Sequence, residues 1–511
     1  MRRLALPGAV LLGLVVVLVI ALVTRPGGSQ VIAQGGQSAA VTSITRSCPP
    51  SAPGSGTERI SMIALAPRAA SAGSPVSSGA AKPAAAPTGA ATFSAVLAAP
   101  AAPAGKTAAS GKPSASAAAK AKGPQPVTVS SPGTVATVTS PDGGGTAVAA
   151  SGQMAEGFEA EQSDTSGTGL VSCTHPGSDM WFVGTGQAGG ASEVWLYLMN
   201  TGNLMASADL TILTDTGQQD GLSSAITVAP NQSVSENITQ YVQGSQALAL
   251  HVQTNTGQVA ASVWEGSKTG GGAWLPQANA PATSLVIPGL TVASSAAKLF
   301  VVVPGSTDAQ LKVVAYTPAG AVTQFPGSPV DASAGAATPL ALNSLGASAS
   351  GLRLTSNQPV VAGVLVPGTG IGSFTTAVPP VTEQGVVAGN PGARGVTVGL
   401  LLTAPSAAAR ASISVISADG TMTTPAGDQS VTVAAGHTLA VAVPRPPTGD
   451  RQSFAIVITP KPGSGPLYAV RVVTSGTGGL SAPVSSLLPV SSAMTSITLP
   501  PAQNSYTAVL P

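Results

Sequence analysis

Charge is the scarcest commodity in this chain: Asp, Glu, Lys and Arg together make 8% of its 511 residues, against about 25% in an ordinary soluble domain. Aromatic residues are 3%, histidines number three and cysteines two. A net charge of +2, spread thinly, excludes the basic footprint that nucleic-acid binding needs, so no nucleic acid is expected as a partner. His175, His251 and His437 lie far apart and in no ligand spacing such as HExxH, so no metal and no cofactor is expected. Long uniform helices are disfavoured too. The 61 glycines and 44 prolines, among Ala, Ser, Thr and Val, suit short strands and tight turns. After the first two dozen residues no long hydrophobic run remains, because Pro, Gly or a polar residue interrupts each later one.

What is present begins with that first run. Residues 4–24 read LALPGAVLLGLVVVLVIALVT, without a charge, and about 20 such residues cross a bilayer as a helix. Arg2 and Arg3 precede it and Arg25 alone follows, which keeps the N-terminus in the cytoplasm and exports the rest. The expected location is the cytoplasmic membrane, single-pass, with an extracytoplasmic C-terminal domain. The alternative is secretion after cleavage near Ala33, although signal cores of about 7–15 residues are shorter than this run. On the oxidising side of a membrane an even cysteine count invites one bridge, Cys48 to Cys173, closing a loop of more than a hundred residues. Two buried free thiols are the alternative.

The composition divides the chain into 1–25, a cytoplasmic stub and transmembrane helix; 26–43, a short spacer; 44–67, the first strands; 68–126, an Ala/Pro/Ser-rich insertion; and 127–511, a repeat β-domain. The insertion carries Arg68, Lys82, Lys106, Lys112, Lys120 and Lys122 with no acid, and too little apolar surface to offset ordering entropy, so it is expected to be disordered. It could serve as a cationic arm for an anionic wall polymer. Six spread charges bind weakly, which favours a spacer or tolerated loop.

From Glu193 onward the chain repeats. Glu193–Leu198 with Ala208–Leu213, Lys298–Val303 with Gln310–Ala315, and Val396–Leu401 with Ala411–Ile416 are equivalent, each second strand ending in a Gly-containing turn. The period is about 100 residues. A second half recurs in step: Ala247–Val252 with Gln258–Val263, Gly351–Leu354 with Pro359–Val364, and Phe454–Ile458 with Leu467–Val472. About four strands per 50 residues, repeated roughly seven times, suit an all-β β-propeller closed by the strand near Tyr506–Leu510. Three tandem immunoglobulin-like β-sandwiches are the alternative.

The run Gly152–Gly186, with Ala155-Glu156-Gly157-Phe158-Glu159-Ala160, Cys173-Thr174-His175-Pro176 and Trp181-Phe182-Val183-Gly184, resembles an uncharacterised actinobacterial envelope family, domain of unknown function 5719. Trp274-Leu275-Pro276, Val286-Ile287-Pro288-Gly289 and Gln358–Ala362 continue the likeness. It covers most of the chain beyond the anchor except 68–126, a longer insertion than such a family leads one to expect. The resemblance implies an anchored or secreted envelope protein with a cysteine pair at Cys48 and Cys173, and assigns no catalytic residue.

No catalytic motif stands out. Ser295 to Lys298 spells SxxK and Lys268 to Gly270 spells KTG, but in the reverse of the order penicillin-recognising enzymes use, and without a helix. The glycine-rich Gly368–Gly372 reads as a turn. Acids concentrate once, at Glu156, Glu159, Glu161, Asp164 and Asp179, where paired carboxylates could serve glycoside hydrolysis or hold Ca²⁺; a solvated loop rim is the plainer reading. Trp181, Trp195, Trp264 and Trp274 all fall in the first period and its edge, as a candidate interaction surface or as core anchors. The expected role is therefore a membrane-anchored envelope scaffold, not an enzyme, contacting envelope proteins or wall polysaccharide. The alternative is a glycan-active enzyme using carboxylates near 156–179.

Overall fold

A computed structural model of the chain describes residues 37–56, 58–66, 89–98, 127–140, 144–164, 169–220, 225–268, 270–291, 296–322, 329–342, 350–368, 370–425, 430–446 and 452–499. The apolar run 4–24 and the expected closing strand at 506–510 lie outside them. No helix among the described residues is long and apolar enough to cross a membrane. Those residues form strands joined by turns and short 3-10 segments, so the protein is all-β.

The strands assemble into four pairs of sheets that divide their strands in the same way. Counting eight strands per pair in chain order, the first, sixth, third and fourth make one sheet, and the eighth, seventh, second and fifth the other. In the second pair the first sheet is Asp179–Thr185, Ala247–Thr256, Ala206–Thr214 and a fourth strand in two pieces, Gly217–Gln219 and Ile226–Val228. Its companion is Gly272–Leu275, Ala260–Ser267, Ala191–Asn200 and Gln232–Asn237. The first pair runs from Ser43–Cys48 to Leu170–Ser172, the third from Ala282–Leu290 to Ser373–Thr376, and the fourth from Gly385–Asn390 to Val484–Val490. In the third, the sixth and seventh strands are one continuous strand, Ser350–Val366, which joins both sheets into one of eight strands.

This order corrects the expected propeller. A blade is four consecutive strands, and no sheet among the described residues has that order. The 100-residue period is real, but its halves are not units. Ala191–Asn200 and Ala206–Thr214 follow one another in the chain, yet the short connection between them passes from one sheet to the other. The immunoglobulin order is not followed either, since it places the third, sixth and seventh strands in one sheet, whereas here the seventh lies beside the second.

Two domain boundaries also move. Within the insertion 68–126, Ala91–Ala95 forms the third strand of the first pair, with Phe93 and Val96 buried, and Leu97–Ala98 adds a parallel edge to Gln232–Asn237 of the second. Those few apolar side chains supply what the surrounding Ala and Pro cannot. The end of the spacer 26–43 is also strand: Gln37–Ala40 pairs antiparallel with Ser496–Leu499 as a small unit apart from Val41–Thr495.

Inside Val41–Thr495 the pairs bury faces against one another. In Lys298–Val303, Leu299, Val301 and Val303 enter the core of the third pair, while Phe300 and Val302 pack with the second. A strand covered on both faces is apolar at every position, which is why this one reads LFVVV. Ile63 and Leu65 of the first pair meet Val386, Ala388, Ala455 and Val457 of the fourth. Gly289, at φ +67°, lets the third pair approach the fourth: a Cβ there would come within 2.6 Å of Leu401 Cβ and closer still to Val470.

Candidate functional site

Where the first, second and fourth pairs meet with their connecting segments there is a cavity of about 390 Å³. It brings together residues drawn from both sequence-level candidate groups: Glu159, Glu161 and Asp179 from the acidic stretch, and Trp181 and Trp274 from the tryptophans. His175 and Cys173 line it as well.

Each carboxylate there is already engaged. Glu159 Oε1 accepts from Arg46 Nη2 at 2.6 Å. Burial pushes the Glu159 carboxyl up, with Arg46 opposing and Glu161 adding to the rise. Glu161 is 4% exposed and Arg471 0%; Arg471 Nη1 donates to Glu161 Oε2 at 2.8 Å. The backbone amides of Ala388 and Gly389 donate to the same carboxylate at 2.9 and 3.1 Å. The group thus ties the first pair to the fourth. Asp179 Oδ1 lies 3.0 Å from His251 Nε2. Burial holds His251 below its usual range against the pull of Asp179, and its ring stacks on Trp181 at 3.8 Å and 10°.

The tryptophans follow from strand register. Trp195, Trp264 and Trp274 are opposite one another on three neighbouring strands, so their side chains leave the same face of the sheet. Tyr197, two residues beyond Trp195, shares that face, and its ring is tilted against Trp274 at 5.7 Å. Trp264 and Trp274 line a second cavity of about 270 Å³ beside the first, together with Glu58, Asp164 and Phe374. Glu58 accepts from Ser55 Oγ at 2.7 Å, from the Ala52 amide at 2.9 Å and from the Gln162 amide group, while burial pushes its carboxyl up. Trp195 lines neither cavity and donates to Glu193 at 2.8 Å.

The remaining candidates disperse. Glu156 lines neither cavity, and His437 Nδ1 lies 2.8 Å from the Ala435 carbonyl, far along the fourth pair. Ser295 lies outside the described residues. Gly370 and Gly372, both at positive φ, turn the chain between Ser350–Val366 and Ser373–Thr376. Among the described residues no group of three or more His, Cys, Asp or Glu side chains is placed to hold a metal ion. Cys48 and Cys173 are bonded, with Cα atoms 4.2 Å apart. The bridge joins the end of the first pair's first strand to the residue after its last, so it staples that pair to itself.

Four important residues went unread in the sequence: Arg46, Ser262, Glu265 and Arg471. Glu265 is fully buried, accepts from the Thr185 amide and hydroxyl at 2.8 and 2.7 Å, and is pushed up to about 8 by burial. Gly184 makes room for it, since a Cβ there would strike Glu265 Oε1; the glycine of Trp181-Phe182-Val183-Gly184 thus has a steric cause. The available signal was a lone charge inside an apolar strand, as in Val470-Arg471-Val472 and Trp264-Glu265-Gly266.

An all-β protein of repeated paired sheets, with a cavity lined by carboxylates that have their own partners, is the class these features define. The profile described as "Family of unknown function (DUF5719)" matches residues 127–444, more than half of the chain, and the protein belongs to that family. No curated protein matches it significantly. Among solved structures, a Streptomyces avermitilis alpha-L-rhamnosidase complexed with L-rhamnose aligns at 10% identity with a TM-score of 0.10, over 62% of this chain and 49% of that one. This chain thus spans about half the length of that structure.

Proposed function

We propose that this protein is a non-catalytic extracytoplasmic scaffold, held at the cytoplasmic membrane by residues 4–24, whose surfaces contact envelope proteins or wall polysaccharide. One observation carries the reading: the carboxylates of the central cavity are bound to their own arginine, histidine and amide partners. Glycoside hydrolysis asks instead for two carboxyls free to exchange protons with, or attack, a substrate. The formed Cys48–Cys173 bridge supports an oxidising compartment. The strand order recurring in four sheet pairs, each with its own core, supports reading Val41–Thr495 as four tandem β-sandwich modules. A glycan-active enzyme remains the second reading on one specific ground: Glu159, raised by burial, shares the cavity with Glu161.

Purified protein incubated with wall polysaccharide and assayed for new reducing ends separates the two. The scaffold reading expects none. Release of reducing ends that Glu159→Gln abolishes would overturn it. Cross-linking in intact cells should then capture an envelope protein or polymer on the outer side of the membrane.

A further inference from the structure

We infer that the central cavity is a binding site for a neutral saccharide unit. The inference rests on the scaffold reading and names the ligand of its cavity.

The site combines rigid aromatic surface, unspent hydrogen-bonding capacity and carboxylates that each already have a partner. Trp181 is fixed by the stack on His251, and Trp274 packs against Tyr197, so both rings are positioned before any ligand arrives. Trp274, the less buried of the two, suits the C–H face of a pyranose, which is apolar while its edge carries hydroxyls; Trp181, 4% exposed, helps to wall the cavity. Two cavity-lining polar atoms have no partner inside the protein: Arg46 Nε and Ser262 Oγ, the latter on a residue 2% exposed. Leaving such atoms unpaired is costly, and a guest that accepts from Arg46 and exchanges a hydrogen bond with Ser262 removes the cost. Gln277 and Asn279 add side-chain amides to the lining.

Charge decides the ligand's sign. Arg46 offsets Glu159, Arg471 offsets Glu161, and Asp179 faces His251. An anion would meet three carboxyl groups, and a cation would meet the Arg46 guanidinium and carboxylates whose partners are already taken. A neutral polyol meets neither penalty. The volume of about 390 Å³ falls within the small-molecule range of roughly 300–1,000 Å³, with room for a sugar ring and none for a folded partner.

The test is tryptophan fluorescence titration, confirmed by calorimetry, on the full-length chain in a sugar-free zwitterionic detergent. The probes are glucose, galactose, mannose, arabinose and N-acetylglucosamine, with glucuronate as the charged comparator. A saturable emission change is expected with at least one neutral sugar. Ser262→Ala, whose hydroxyl has no partner to lose, should weaken it by about threefold to tenfold. Trp274→Phe should weaken it as well, and Trp195→Phe, outside the cavity, should leave it unchanged. No saturable response to any neutral sugar up to tens of millimolar, glucuronate binding tighter than glucose, or wild-type affinity in both cavity variants would overturn the inference. The two readings fail separately. A bound oligosaccharide that is cleaved removes the scaffold reading and leaves the site; an empty cavity beside an intact cross-linked partner removes the site and leaves the scaffold.

Discussion

Glu161 and Arg471 are 310 residues apart and meet where water does not reach. Removing one member leaves the other charged and desolvated, a loss of about 3–5 kcal/mol. Glu161→Gln or Arg471→Met should therefore lower the urea midpoint sharply, while the double replacement Glu161→Gln with Arg471→Met, which removes both charges and keeps an acceptor for the Ala388 and Gly389 amides, should recover part of the loss. A single variant with a wild-type midpoint would show that the pair is not buried in solution. Glu265 predicts a pH profile. Folded, it keeps its proton up to about pH 8, whereas unfolded it releases it near its ordinary value of 4.5. Unfolding across that window releases a proton, so this contribution is fully present below 4.5 and is lost as pH rises through 8. Glu265→Gln, which imitates the protonated form, should flatten the stability curve between pH 5 and 9. An unchanged slope would refute the assignment. None of these partners was legible in the sequence: Glu161 and Arg471 come from separate sheet pairs, Glu265 and Thr185 from the two sheets of one pair, and no local spacing records either.

At the scale of elements, the repeat was readable and the sheets were not. Equivalent strands such as Lys298–Val303 and Val396–Ala404 carry the same apolar runs because both are covered on two faces, and burial writes itself into composition. Which strand lies beside which depends on whether a five-residue connection, as at 201–205, turns back or crosses to the facing sheet, and turn composition does not separate the two. Ala91–Ala95 was missed because its anchors, Phe93 and Val96, are diluted by alanine on every side. Gly289 offers an element-scale test. Gly289→Ala adds a methyl group at positive φ, against Leu401 and Val470. Strain and overpacking at such a site each cost about 1–3 kcal/mol, so a lower melting temperature is expected, with full stability refuting the close approach. Trypsin offers another. Cleavage at the lysines of 106–122 should give fragments that migrate together without reductant and apart with it, because Cys48 and Cys173 flank the cut. Separation without reductant would show the bridge to be open.

For the molecule as a whole, the placement of the acids and tryptophans changes what the sequence suggested. Three of the five acids, Glu159, Glu161 and Asp179, and two of the four tryptophans, Trp181 and Trp274, become walls of one cavity, because Asp179–Thr185 and Glu159–Ser163 approach it from different sheet pairs. The two ends of the described chain have a mechanical consequence. Gln37 sits opposite Leu499 and Ala40 opposite Ser496. Tension between the segment ahead of Gln37 and the segment beyond Leu499 therefore pulls on the same end of this ladder. Its four rungs separate in succession, as a zip opens, instead of resisting together in shear. Only then does load reach Val41, whose amide donates to the Thr495 carbonyl at 3.2 Å. A ladder loaded this way yields at low force before the residues from Val41 to Thr495 are strained, a first step that optical-trap extension would register as a short, soft event ahead of the main unfolding.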